Sequence, residues 1–454
     1  MSINIIKNSV RATGGTQSDE FKAAIKSVTS STTVGAVFLY DTSQDSDGGK
    51  WRKGNRCKGL SWFDEPTLPA GTGANQYNSA TRSARSEFPA MALIVCDHDG
   101  TAGTTTKSLT IYDLDDPAMP LWMQFQTNTN YLFPASGGNY NMARTVYALN
   151  GRLYCGVAAS SAVNWGFFEI DFTNDSAFAL YSSAAYSGPF NGTISERNTA
   201  KTSVFTGGAG NLGPYSAGIV SNAVNDVAAT VLEGSPIGAL GLPIPTVAVS
   251  TGAGISVIHG GSGAVYNQTH TVASDNKSFA CFWDNKGGLY WSTRDISSAG
   301  TYVLYQQNPL FATSSAITGV QLVTSTASAV ASAYPYFLGS TAPYVSAITN
   351  RGNDGWAAGG STGLSLYKNN TGNFNEGMVS YATSTYATGY MVGDIRFAGL
   401  ANNKTDDKSV NANTLTQVGT IGNSNKVATG AELIAYDGFS ASNYLTRTDA
   451  NLGT

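Results

Sequence analysis

The stretch YDTSQDSDGGKWR, residues 40–52, sets Asp41, Asp45 and Asp47 close together ahead of Gly48 and Gly49. Clustered carboxylates of this kind are what a hard cation such as calcium takes as ligands. An EF-hand loop needs ligands at its first, third and fifth positions, glycine at the sixth and a bidentate glutamate at the twelfth. With Gly48 in the glycine position, Asp45 and Asp47 fall correctly, but Ser43 stands first and Gly54 last. The closing ligand is missing. A turn whose aspartates accept nearby backbone amides, with glycines in the left-handed region, accounts for the residues without an ion. The sequence therefore predicts a tight loop between Tyr40 and Trp51 with a strand on either side, and no metal site.

Other short motifs meet similar objections. GGSTG at 359–363 fits G-x-S-x-G with Ser361 as nucleophile. It joins two strand-like runs, and His98, His259 and His270 all precede it, whereas hydrolases of that type place the histidine after the serine. GAGNLG at 208–213 matches a dinucleotide loop, but Pro214 follows and no helix is predicted to receive a phosphate. In CDHDG at 96–100, strand alternation sets Asp97 and Asp99 on one face and His98 on the other, so a polar turn ending a strand is the simpler reading. Asp113, Asp115 and Asp116 crowd a turn before Pro117 instead of facing each other across a cleft, as glycoside hydrolysis requires. Trp51, Arg52 and Trp62, interleaved with Lys53, Arg56 and Lys58, fit a glycan or cation–π surface. They also fit a sheet edge whose tryptophans pack inside under Arg and Lys stems, the reading we favour. No catalytic residue, cofactor site or metal site emerges.

Bulk composition agrees with scarce chemistry. Only 12% of the 454 residues are charged, the net charge is -4, and 51 glycines accompany 23 tyrosines and 19 phenylalanines. That net charge argues against a phosphate-binding surface, so nucleic acid is not an expected partner. The start MSINIIKNSVRATGG has no apolar core of a secretory signal, and no run approaches the ~18 apolar residues of a membrane-spanning helix. A soluble protein made in the cytosol is expected. Cys57, Cys96, Cys155 and Cys281 form no C-x-x-C pair and are expected as buried free thiols.

The elements that must position these residues are almost all strands. One amphipathic helix is predicted in TQSDEFKAAIKSV, with Ser18 as cap and Phe21, Ala24, Ile25 and Val28 on one stripe. Too short to stand alone, it must dock, either on its own propeller or on a neighbouring subunit. From Val34 strands follow: GAVFLYD, FPAMALIVCD, SLTIYDLDD and PLWMQFQ. A strand, turn, strand unit then recurs in VYALNGRLYCGV, VAVSTGAGISVI, FACFWDNKGGLYWST and GWAAGGSTGLSLY, unevenly spaced as in a decayed repeat. Asn150-Gly151 in the first suits a tight hairpin turn. The fold expected is an all-β propeller of about seven blades, six to eight at about 40–50 residues each. Its rival is a multi-sheet β-sandwich. Residues 1–33 read as a docking segment, 34–402 as the propeller and 403–454 as a polar linker with a C-terminal β extension.

The order of several long strings is more specific. VFLYDTSQDSDGGKWRKGNRCKGLSWFDE, ATRSARSEFPAMALIV and LTIYDLDDPAMPLWMQF, followed later by VNDVAATVLEGSPI, GLPIPTVAVSTGAGISVI, GYMVGDIRFAGLANN and VATGAELIAYDGFSASNYL, cover nearly the whole chain after Thr33. In these strings the sequence resembles the N-terminal region of a virion structural protein family of marine tailed bacteriophages. The resemblance implies a tail-associated, propeller-like protein, often followed by a concanavalin- or LamG-like glycan-binding sandwich. This sequence reaches Thr454 where that sandwich would begin, so sugar binding through it is not expected of these residues. The resemblance supplies no catalytic residues. The expected role is a non-enzymatic, homo-oligomeric tail component at the nozzle, tip or fibre base, made in the host cytoplasm and located in the virion. Its partners would be other tail proteins. A host-glycan receptor module and a capsule or lipopolysaccharide depolymerase are the alternatives.

Overall fold

The computed structural model describes residues 33–67, 81–98, 106–128, 130–134, 143–157, 166–182, 187–201, 212, 214–269, 277–294, 301–306, 315–316, 320–324, 336–337, 345–352, 355–360, 363–368, 378–383, 404–405, 414–424 and 435–446. The expected N-terminal helix, with Phe21, Ala24, Ile25 and Val28, lies outside them. Two compact units divide the chain, Met1–Tyr381 and Ala382–Thr454. The break expected after 402 falls within the second.

Five sheets follow one another along the chain. The first contains β1 (Thr33–Asp41), β2 (Met91–His98), β3 (Thr106–Asp113), β4 (Leu121–Asn128) and β5 (Phe133–Pro134). The second contains β6 (Ala143–Leu149), β7 (Arg152–Val157), β8 (Phe167–Asp171), β9 (Ser176–Leu180) and β10 (Gly188–Pro189). The third is built on β11 (Val224–Thr230), β12 (Thr246–Thr251), β13 (Gly254–Ile258) and β14 (Val265–Thr269). The fourth starts with β15 (Lys277–Trp283), β16 (Leu289–Arg294) and β17 (Thr301–Gln306); β18 (Ser315–Ala316) then returns to pair with β14. β19 (Val320–Thr324) and β20 (Tyr336–Phe337) complete the fourth sheet. The fifth is β21 (Val345–Gly352), β22 (Gly355–Gly360), β23 (Gly363–Lys368) and β24 (Met378–Thr383).

In each sheet the first strand forms one edge, and β1, β6, β11, β15 and β21 pack beside one another in that order. This is a propeller-like arrangement, in which each sheet is covered by its neighbours. Burial agrees: every residue of β12 and β13 is buried, as strands covered on both faces require. Up to β24 the described residues form four five-stranded sheets and one of four strands, not the seven blades expected. The first strands begin at Thr33, Ala143, Val224, Lys277 and Val345, so insertions lengthen several sheets beyond the span assumed from the sequence.

All five first strands carry an irregularity near their start, at Val34/Ala36, Ala143/Thr145, Val224/Asp226, Ser278/Cys281 and Val345/Ala347. A bulge bends a strand, increases its twist and leaves an amide out of the ladder. The repeat that has decayed in sequence thus persists in backbone geometry. Gly156 in β7 serves the same close packing: a Cβ there would lie 2.3 Å from Val224 Cγ1 of the next sheet.

The largest insertion in the first sheet lies between β1 and β2. Its Trp51, Trp62 and Phe88 enter the core, where they meet Trp122 of β4 and Phe172. Ring centroids are 5.3 Å apart for Trp51 and Phe88, 4.8 Å for Phe88 and Trp122, and 5.4 Å for Trp62 and Phe172. Contacts of this kind contribute about 0.5–1.5 kcal/mol each beyond area burial. The loop after Tyr40 does follow a strand, but Trp51 leads into short helical turns at 50–52, 54–57 and 61–64, not into the second strand expected. Packing of the two tryptophans in the core wins over strand pairing here.

In the second unit, β25 (Thr416–Val418) and β26 (Gly422–Ser424) pair antiparallel with β28 (Tyr444–Thr446) and β27 (Ala435–Asp437), respectively. The strand character expected after residue 427 is present in β27 and β28. Among the described residues no helix is long and apolar enough to cross a membrane.

Candidate functional site

Asp45 is buried, and its three donors come from three places. Tyr40 Oη donates to its Oδ2 at 2.6 Å, Trp51 Nε1 to the same oxygen at 2.7 Å, and the Asn150 amide to Oδ1 at 2.7 Å. Tyr40 Oη in turn accepts the Gly151 amide at 2.9 Å. Asn150 and Gly151 form the predicted left-handed hairpin turn, with φ of 53° and 73°. Burial pushes the Asp45 carboxyl up to about 6, against the pull of Tyr40, Trp51 and the Asn150 amide. Asn150 Nδ2 continues the tie by donating to Ser46 Oγ at 3.0 Å and the Pro243 carbonyl at 2.8 Å. One aspartate of the opening motif therefore joins the first sheet to the second.

The other two aspartates serve locally. Asp41 accepts the Ser43 amide at 2.9 Å, and Asp47 accepts the Lys50 amide at 3.0 Å and Arg56 at 2.8 Å. The turn chemistry read from the sequence holds at Asp41 and Asp47. Among the described residues no cluster of His, Cys, Asp and Glu has the form of a metal site.

Trp51 and Trp62 are fully buried and Arg52 is mostly so, which corrects the glycan-surface reading of these three residues. Burial removes the apolar rings from water, which is worth about 25 cal/mol per Å² of apolar surface. Trp62 Nε1 donates to the Phe172 carbonyl at 2.8 Å, and Arg52 Nη1 to the Phe88 carbonyl at 3.2 Å.

Two further charged clusters escaped sequence reasoning. Arg197 forms a bidentate pair with Glu65 at 2.8 and 3.0 Å and donates its remaining N–H groups to the carbonyls of Gln124, Ile194 and Thr81. Arg82, also buried, stacks over Trp122 with its guanidinium carbon 4.3 Å from the ring centre. In the second sheet Arg152 pairs with Asp171 at 2.7 Å and with Glu169. Burial raises the Asp171 carboxyl, opposed by Arg152 and the Thr173 donors. The available signal was a charge inside an apolar run, as in FFEID, which demands a buried partner.

A cleft of about 560 Å³ opens where β6, β11, β15 and β21 approach, lined by Tyr147, 226–233, 281–287 and 348–350. Asp226 lies in its wall. Oδ1 accepts Thr145 Oγ1 of β6 and the Val227 amide, both at 3.0 Å, and Oδ2 accepts the Cys281 amide of β15 at 3.0 Å. Burial raises this carboxyl to about 6 despite those donors. Trp283 Nε1 donates to the Ala228 carbonyl at 3.1 Å and Asn350 Nδ2 to the Trp283 carbonyl at 3.0 Å, tying three successive sheets. At the rim, Asp284 Oδ1 accepts the amides of Lys286 and Gly288 at 2.8 and 2.7 Å.

The remaining motifs settle as follows. Ser361 lies outside the described residues, between Gly360 and Gly363, which pair across two antiparallel strands, so the strand-to-strand setting stands. The Gly208–Gly213 motif is outside them apart from Leu212, as are Asp99 and Gly100. Asp113 and Asp115 grip Arg85, and Asp116 accepts the Ala118 amide at 2.8 Å, which makes the predicted turn. All four cysteines are buried free thiols, as expected.

No protein-family description and no curated protein matches this sequence. Among solved structures it is similar to the crystal structure of Kluyvelomyces marxianus Hsv2, at 10% identity over 64% of this chain and 93% of that one, with a TM-score of 0.25. It is also similar to the extracellular domain of the putative one component system BT4673 from B. thetaiotaomicron, at 12% identity over 59% of this chain and 39% of that one, with a TM-score of 0.18. At these scores neither likeness bears on function. The chain's own sheets define the class: a β-rich, propeller-like protein stitched across its sheets by polar side chains.

Proposed function

We propose that this chain is a non-enzymatic structural component of a bacteriophage virion tail, at the nozzle, tip or fibre base, which contributes to tail assembly and host attachment. The sequence resemblance supplies the context. The observation that carries the non-enzymatic part is how the buried carboxylates are used: Asp45, Glu65, Asp171 and Asp226 each face protein donors that tie segments of the fold together. The acid of a depolymerase must be a raised carboxyl free to protonate the leaving oxygen, whereas the raised carboxyls of Asp45, Asp171 and Asp226 are all engaged by protein donors. Of Asp113, Asp115 and Asp116, the acids weighed for that role, the first two hold Arg85 and the third accepts the Ala118 amide.

In this role the chain is a homo-oligomer that docks through the segment carrying Phe21, Ala24, Ile25 and Val28. The test is labelling of purified virions with an antibody to the chain. Tail-localised label is expected, and virions free of the protein would remove the proposal. Deleting residues 1–32 should abolish incorporation; normal incorporation would refute the docking role alone.

A further inference from the structure

We infer that the cleft between the first strands of the second to fifth sheets is a saccharide-binding site, the receptor-facing part of the host-attachment role proposed above, on which it rests. The volume of about 560 Å³ is in the range of small-ligand sites and suits a disaccharide-sized group. Its lining sorts into two layers. The inner layer, Asp226, Trp283 and Asn350, is held by the inter-sheet hydrogen bonds described above, which fix the shape of the wall before any ligand arrives. The outer layer offers groups not used in that framework: the Glu233 carboxylate, Oδ2 of Asp284, and the hydroxyls of Thr230 and Thr349. Carboxylate acceptors beside hydroxyls that both donate and accept match vicinal sugar hydroxyls, which do the same. Acids outnumber the one lysine, Lys286, so a phosphate or nucleotide is disfavoured.

Glu233 also sits on a built rim. The following segment is closed by the Ile237–Pro243 bridge, the Gly238 amide donates to the Leu242 carbonyl at 2.8 Å, and the Ile244 amide to the Pro236 carbonyl at 2.8 Å. Leu232 of the same rim lies against Gly287, where an added Cβ would come within 2.9 Å of its Cδ2. The two loops that flank the cleft are therefore in direct contact.

The experiment is NMR titration of the full chain with maltose, cellobiose and chitobiose, and with spermidine as a cationic probe. Binding of at least one disaccharide, weakened about ten-fold in Glu233→Gln and in Asp284→Asn, is expected. Circular dichroism of both variants should match the parent. Failure of all three sugars to bind, or sugar binding that neither substitution changes, overturns the site. Binding of spermidine without any sugar overturns it in favour of a cation-binding cleft. Virion labelling is read separately: a chain that is present in tails but binds no sugar removes the cleft and leaves the tail role, whereas a chain that binds sugar but is absent from virions does the reverse.

Discussion

The carboxylate of Asp226 accepts the backbone amide of Cys281 at 3.0 Å across the gap between two sheets. Both residues follow a register irregularity in the first strand of their sheet. β15 is an edge strand whose ladder neighbour among the described residues is β16, so amides on its other side have no strand partner there. A buried amide without a partner costs about 1–3 kcal/mol, and the Asp226 side chain removes that cost while fixing the spacing of the sheets. Asp226→Ala should therefore destabilise the first unit by about 2–3 kcal/mol. Asp226→Asn, which keeps one acceptor, should lose less. Urea midpoints of the two variants check the order, and equal stability of Asp226→Ala and parent would show the tie to be idle.

Asp45 and Asp226 share a consequence for pH. Both carboxyls are raised by burial to about 6 from an ordinary value near 3.8. A raised carboxyl favours the protonated fold, so this contribution is fully present below about 3.8 and is lost as pH rises through about 6. Asp115 behaves oppositely: although burial pushes it up, the amides of Ala90 and Met91 and the Arg85 guanidinium hold it below its usual value. Its contribution is lost only in stronger acid. Thermal stability should therefore rise as pH falls from 7 to about 5, then drop in stronger acid. The double variant Asp45→Asn/Asp226→Asn should flatten the first slope. A parent whose melting temperature falls steadily from pH 7 to 5 would contradict this assignment.

The Asn150-Gly151 turn was the clearest structural signal in the sequence, and it carries more than a hairpin. Gly151 has φ of 73°, and a Cβ on it would lie 2.6 Å from Thr173 Cγ2 and 3.1 Å from the Trp51 ring. Gly151→Ala thus combines a left-handed backbone with a clash in the core, and should cost about 2–4 kcal/mol. Asn150→Gly keeps the backbone but removes the bonds to Ser46 and Pro243, and should cost about 1 kcal/mol. Thermal melts of the two variants test this ranking.

These positions also show where the sequence was readable. Strand runs such as VAVST and GISVI, and turns such as Asn150-Gly151, are local patterns whose residues determine their own conformation. The blade count was not readable, because the insertions separating successive first strands have no fixed length. Nor was the partner of Asp45. A turn aspartate that caps its own loop and one that reaches Asn150, 105 positions away, look the same in sequence. The cleft had no local signature either, since its walls come from four distant strands. Glu169 and Asp171, charges inside the apolar run FFEID, carried a local signal of the buried ion pair that sequence reasoning missed.

The Glu65–Arg197 pair offers the sharpest separation of a tie from its cost. Both side chains are buried, and Arg197 also serves three carbonyls, so removing Glu65 leaves a guanidinium with its positive charge uncompensated beside a second cation, Arg82, whose Nε is 3.6 Å from Glu65. Glu65→Gln should therefore destabilise the fold by about 3–5 kcal/mol. Arg197→Met should cost a similar amount, because Gln124, Ile194 and Thr81 then lose a donor while Glu65 keeps only Arg82. In the double variant Glu65→Gln/Arg197→Met neither lone charge of the pair remains, so the combined loss should fall well short of the sum, with a coupling of about 2–3 kcal/mol. Denaturation of the four proteins gives that coupling directly. Strictly additive losses would mean that each side chain acts through its other contacts, and that the ion pair itself does not hold the insertion against the turn at 194–197 that follows β10.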